Sequence, residues 1–129
     1  MIVVDTSALM AILLNEAEAA ACMACLENED RLLISTATVA EALIVAARRN
    51  VGVEMSRLID ELGFEQVAVS TADARHSAQA YDRWGKGRHP AALNFGDCFA
   101  YALARSRDCP LLFVGGDFAQ TDIHSALAV

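Results

Sequence analysis

Four acidic residues carry the chemistry that this sequence offers: Asp5, Glu41, Asp97 and Asp117. Asp5 closes the β-branched run Ile2-Val-Val, and Asp117 follows the Gly115-Gly116 turn. Asp97 follows Phe95-Gly96 at the start of a helical stretch. Taken singly, these three read equally well as helix caps or turn formers, since Asp suits both places. Glu41 is different. It lies mid-helix in Thr38-Val-Ala-Glu-Ala-Leu-Ile44, with Ala37, Thr38, Ile44 and Val45 as its helical neighbours and no basic partner among them. An unpaired carboxylate turned toward a core is costly and tends to protonate. A carboxylate cluster or a metal ion accounts for it better than a solvated helix face. Gathered carboxylates without a cationic neighbour suit Mg²⁺ or Mn²⁺ rather than zinc. Such ions activate water and stabilise negative charge growing on a phosphodiester. One ion or two fit the pattern equally.

For these positions to meet, the chain must bring strand ends and helix starts together. Ile2–Asp5, Leu32–Ser35, Glu65–Val69 and Leu111–Val114 read as short strands. Between them Ser7–Leu14, Glu16–Glu27, Thr36–Arg49, Val53–Leu62, Thr71–Arg83 and Gly96–Arg107 read as helices, with Trp84–Asn94 a loop bearing Gly and Pro. Strands that are continuous apolar runs, alternating with helices, predict an α/β fold with a buried parallel sheet. Ligands of such sheets bind beyond the carboxyl ends of the strands, where Asp5 and Asp117 both lie.

The bulk properties agree. A length of 129 residues predicts one domain, and 55% hydrophobic residues supply a sizeable core. No apolar run reaches the ~20 residues of a membrane span, and Asp5 comes too early for a signal peptide, so a cytoplasmic protein is expected. Cys22 and Cys25 form a C-x-x-C within helical composition, without the second ligand pair that zinc requires, and the four cysteines read as structural thiols. The net charge of −7 argues against nucleic acid at first. Four carboxylates committed to metal would remove more than half of that excess, and bound cations would invert the local sign.

Four segments, in order, resemble the motifs of PIN domains, in particular the toxins of VapBC toxin–antitoxin pairs. They are Val3-Val-Asp-Thr-Ser-Ala-Leu9, Ser35-Thr-Ala-Thr-Val-Ala-Glu-Ala-Leu43, Leu93-Asn-Phe-Gly-Asp-Cys-Phe-Ala-Tyr-Ala-Leu103 and Leu112-Phe-Val-Gly-Gly-Asp-Phe-Ala-Gln-Thr-Asp122. The resemblance implies a three-layer α/β/α sandwich around a parallel sheet of four or five strands. It implies Mg²⁺-dependent cleavage of RNA and inhibition by a cognate VapB-like antitoxin that binds DNA through its other end. A homodimer is implied as well. Asp5 and Asp97 would be the principal metal ligands, Glu41 and Asp117 would complete the acidic site, and Ser7 would support it by hydrogen bonding. Gly116 stands where relatives often carry Asn or another polar residue, so any contact from that side chain is missing here. Asp122 reads as a cap or turn former.

Arg83, Lys86 and Arg88, beside Trp84, form the densest basic stretch and lead into the Asp97 motif. They are the expected RNA contacts, with Trp84 stacking on an unpaired base and the glycines admitting a phosphate. Arg48-Arg49 is the next candidate. A serine hydrolase is disfavoured because Ser7 lacks the G-x-S-x-G elbow and His76, His89 and His124 fall outside the four motifs. An aspartyl-nucleophile phosphatase would have an acid at position 7. The remaining alternatives are a PIN-fold nuclease of RNA processing and a non-catalytic PIN module, the latter disfavoured by the presence of all four carboxylates.

Overall fold

The computed structural model describes residues 1–127. Four strands form one sheet: β1 (Ile2–Val4), β2 (Leu32–Ser35), β3 (Glu65–Val67) and β4 (Leu111–Leu112). All pair in parallel, in the order β3-β2-β1-β4. A single parallel bridge from Leu111 to Ser125 extends the sheet past β4, with the Leu111 N–H donating to the His124 carbonyl at 2.9 Å. This is the remnant of the fifth strand that the sequence left open.

Side-chain alternation divides the strands between two cores. Ile2, Val4, Leu32, Ile34 and Leu112 point to one face. There they bury against α1 (Thr6–Leu13), α2 (Ala19–Asn28), α3 (Thr36–Arg48) and α4 (Gly52–Leu62). Val3, Leu33 and Leu111 point to the other, against α5 (Thr71–Trp84) and α6 (Phe95–Ser106). Both faces are covered at β1, β2 and β4, which is why these strands read as apolar runs, whereas the edge strand β3, Glu-Gln-Val, is exposed at its first two residues and departs from that expectation. The result is the three-layer α/β/α sandwich. Among the described residues no helix is long and apolar enough to cross a membrane.

Boundaries moved where local hydrogen bonding competed with pattern. α2 starts at Ala19 rather than Glu16, because the chain leaves α1 through Asn15 at φ 52° and the Glu16 N–H returns to the Ala11 carbonyl. β4 ends at Leu112 rather than Val114, whose N–H is taken by Ser7 Oγ at 3.0 Å instead of a ladder. Leu9, Cys22 and Leu26 are fully or almost fully buried, so the apolar faces of α1 and α2 belong to the core. All four cysteines are free thiols, Cys22 and Cys98 buried.

Because the strands are parallel, their carboxyl ends share one edge. Asp5, Ser35 and the segment from Val114 to Asp117 emerge there, and α6 begins beside them.

Candidate active site

Asp5 is the residue after β1 and the N-cap of α1. Its Oδ2 accepts from the Ser7 N–H at 3.0 Å and from Ser7 Oγ at 2.7 Å. Ser7 Oγ also accepts from the Val114 N–H, so one hydroxyl ties Asp5 to the exit of β4. Asp5 is 3% exposed and its Oδ1 has no partner among the described residues. A bare, buried carboxylate oxygen is costly. Burial raises the Asp5 pKa to about 7; the two Ser7 hydrogen bonds oppose this, and the charges of Asp97 and Glu41 add to it.

Glu41 stands on the second turn of α3, half-buried, and accepts from Thr6 Oγ1 at 2.7 Å. Its other oxygen lies over Gly96. A β-carbon on residue 96 would sit 2.0 Å from Glu41 Oε2. The glycine before Asp97 is therefore the space into which Glu41 fits.

Asp97 opens α6 in a reciprocal cap: its N–H donates to Asn94 Oδ1 at 2.9 Å, and its Oδ2 accepts from the Asn94 N–H at 3.0 Å. Burial raises its pKa to about 6; the Asn94 hydrogen bond opposes this, while Glu41 and Asp117 raise it further. Asp117 is exposed at the rim, at the start of the 3-10 turn Phe118–Gln120, and makes no cap of its own.

The structure thus brings Asp5, Glu41 and Asp97 within electrostatic reach of one another, with Asp117 at the rim acting on Asp97. Capping and metal binding are not alternatives here. Asp5 and Asp97 each spend one oxygen on a local hydrogen bond, Glu41 spends one on Thr6 of α1, and each keeps the second. Among the described residues no three acidic, His or Cys side chains are gathered tightly enough to hold an ion as they stand. The donor set fits a hard divalent cation: it is all oxygen, has no ion pair among the described residues, and includes an orphaned buried oxygen on Asp5. Mg²⁺ or Mn²⁺ would be held by Asp5 and Asp97, with Glu41 and Asp117 adjoining.

Two positioning residues escaped the sequence reading. Thr6 holds Glu41, and Asn94 holds Asp97. The Asn94 signal was present in the spacing Asn-x-x-Asp ahead of an apolar helix. Thr6 had none, since its contact depends on how α1 crosses α3.

The basic stretch is only partly as expected. Trp84 is 8% exposed and its Nε1 donates to Tyr101 Oη at 3.0 Å, so its ring packs in the core and is not free to stack on a base. Gly85 approaches Tyr81 rather than a phosphate; a β-carbon there would meet the Tyr81 carbonyl oxygen at 2.3 Å. Arg83 lies 3.6 Å from Asp122 and Arg88 lies 3.3 Å from Asp82. Lys86 is exposed on the loop leading to Asp97. Asp122 is more than a turn former: it accepts from the Tyr101 hydroxyl as well as facing Arg83.

Comparison with known proteins agrees with this geometry. The PIN domain model matches residues 2–123, and the chain belongs to the PIN-domain family. Ribonuclease VapC30 of Mycobacterium tuberculosis is 44% identical over 124 residues, covering 94% of this chain and 95% of the relative. Within the family, then, the chain falls among the VapC ribonucleases. The crystal structure of M. tuberculosis VapC20, described as a sarcin–ricin loop cleaving toxin, superposes with a TM-score of 0.75 at 18% identity, over 95% of this chain and 96% of that one. A toxin–antitoxin complex from Klebsiella pneumoniae gives 0.69 at 20% identity, over 95% and 93%. These two establish the fold.

Proposed function

We propose that this chain is an Mg²⁺-dependent endoribonuclease and the toxin of a toxin–antitoxin pair. The observation that carries the proposal is the set of four carboxylates from four separate segments around the partnerless Asp5 Oδ1, in a chain 44% identical to a VapC ribonuclease. The bound ion supplies activation of water and neutralisation of charge at the scissile phosphate. The chain supplies the frame. Ser7, Thr6 and Asn94 hold Asp5, Glu41 and Asp97 on fixed rotamers, and such preorganisation spares the reaction a reorganisation cost. Gly96 keeps the Glu41 carboxylate beside Asp97. None of the three histidines is needed as a general base.

An antitoxin would neutralise the site from the groove beside Glu41. That groove, of about 570 Å³, is lined by Ala37, Ile44, Val45, Phe95 and Phe99, with Glu41 among its walls. Ile44 is 55% exposed and Phe95 76%. A segment that buries apolar side chains there and sets one basic side chain by the carboxylates fits both features. We also propose a homodimer.

Incubation of the purified chain with labelled single-stranded RNA tests the reading. Cleavage should stop in EDTA and return with Mg²⁺ or Mn²⁺ but not with Ca²⁺, whose coordination is larger and looser. Undiminished cleavage in chelator overturns the metal role. Co-expression with a VapB-like antitoxin should give a complex without nuclease activity, and a complex that still cuts RNA contradicts the toxin role.

A further inference from the structure

Among the cavities of the described residues, one cleft lies away from the carboxylates, between α5 and α6. It has a volume of about 430 Å³, within the range of ligand sites, and is lined by His76, Gln79, Arg83 and Arg105 over a floor of Trp84 and Tyr101. No carboxylate lines it, in a chain with 17 acids against ten bases. Its floor is braced. Trp84 donates to Tyr101, Tyr101 donates to Asp122, and Asp122 stands 3.6 Å from Arg83, whose guanidinium carbon is 4.5 Å from the Trp84 ring centroid. Arg83 is thus held at the cleft mouth by one carboxylate and one ring. Arg105 is exposed and makes no ion pair among the described residues.

We infer that this cleft grips a phosphodiester of the RNA strand outside the cut, an inference that rests on the ribonuclease function proposed above. Arg105 lies just over two turns beyond Asp97 on the same helix, about 12 Å along its axis. A strand leaving the carboxylates along α6 reaches the cleft within a few nucleotides. The arrangement explains how a chain with a net charge of −7 holds a polyanion: Arg83, oriented by Asp122, and Arg105 line one cleft whose own walls carry no acid. Planar guanidinium forks match phosphate oxygens better than point charges do. It also sets Arg83 with Arg105 on the helix pair, apart from Lys86 and Arg88 with which the sequence grouped it.

The test is fluorescence anisotropy of labelled single-stranded RNA in EDTA, as a function of salt. Arg105→Glu should weaken binding roughly tenfold. Arg105→Gln should lower the salt slope by about 0.7, the loss of one single-strand phosphate contact. Arg57→Glu, an equal charge change on the exposed side of α4, is the control and should leave the affinity unchanged. Equal losses in the two glutamate variants would reduce the effect to bulk charge and overturn the cleft. Unchanged binding by Arg105→Glu would overturn it while leaving the ribonuclease reading intact. A wild-type chain that neither binds nor cuts RNA would overturn both. An acidic peptide that binds in an Arg105-dependent way and more tightly than RNA would assign the cleft to a protein partner and overturn the RNA assignment.

Discussion

Gly96 and Glu41 fit each other: the space where residue 96 would carry a β-carbon is filled by the Glu41 carboxylate, with Oε2 2.0 Å from that point. This single clearance sets Glu41 beside Asp97 and makes position 96 part of the site without any side chain of its own. Gly96→Ala should therefore cost activity rather than folding. The displaced atoms are the end of a flexible side chain, and Ala favours a helix over Gly by about 1 kcal/mol. The melting temperature should hold or rise while RNA cleavage falls on the order of 100-fold, the usual scale for a displaced catalytic group. Parallel melting curves and initial rates check this, and full activity in the variant would contradict the role given to Glu41.

Stability should depend on pH in an unusual direction. The pKa values of Asp5 and Asp97 are raised on folding, to about 7 and about 6, from ordinary carboxylate values. A raised acid stabilises the fold when protonated. Its contribution is complete below the unfolded pKa and is lost as pH rises through the folded one. The metal-free protein should thus lose stability between about pH 4 and pH 7, with Asp5 contributing on the order of 4 kcal/mol. Thermal melts in EDTA should show the decline, and saturating Mg²⁺ should flatten it by favouring the ionised forms. A metal-free protein that gains stability over this interval would contradict the burial assigned to Asp5.

Much of this was legible in the sequence for identifiable reasons. Buried parallel strands are too short to alternate visibly, yet Ile2-Val-Val and Leu32-Leu-Ile announce themselves as apolar runs, and helix starts fall at Ser35, Ser70 and Asn94, where caps belong. Glu41 was readable because a lone acid on an apolar helix face needs a reason. What the sequence hid depends on packing between distant elements. Thr6 reaches Glu41 across 35 positions, and Val114 leaves its ladder for Ser7 across 107. Trp84 looked available because its neighbours in sequence are charged. Its neighbours in space, Tyr101 and His89, are aromatic and bury it.

Ser7 offers a separate handle on Asp5. Ser7→Ala removes the Oγ hydrogen bond, the larger of the two Ser7 bonds that hold the Asp5 pKa down, and the one that anchors Val114, while the residue 7 N–H still donates to Asp5. The Asp5 pKa should rise further, so the acid limb of the pH–activity profile should move to higher pH. Affinity for Mg²⁺ should fall between about tenfold and 100-fold, as losses of ligand-supporting hydrogen bonds do. The check is the pH–rate profile at several Mg²⁺ concentrations. An unmoved acid limb would place the limiting ionisation on a group other than Asp5.

Titration calorimetry with Mn²⁺ at about pH 6.5 addresses the central claim most directly. If the carboxylates form one divalent-cation site, wild-type protein should bind saturably and release protons as Asp5 and Asp97 are driven to ionise, read as a heat that varies with buffer ionisation enthalpy. Asp97→Asn should lose both the binding and the proton release while its melting temperature is kept or raised, since removal of one charge relieves repulsion among those left. Saturable, proton-releasing binding that vanishes in Asp97→Asn is the predicted result; the absence of saturable Mn²⁺ binding by the folded wild-type chain, or equal binding by the variant, would contradict it.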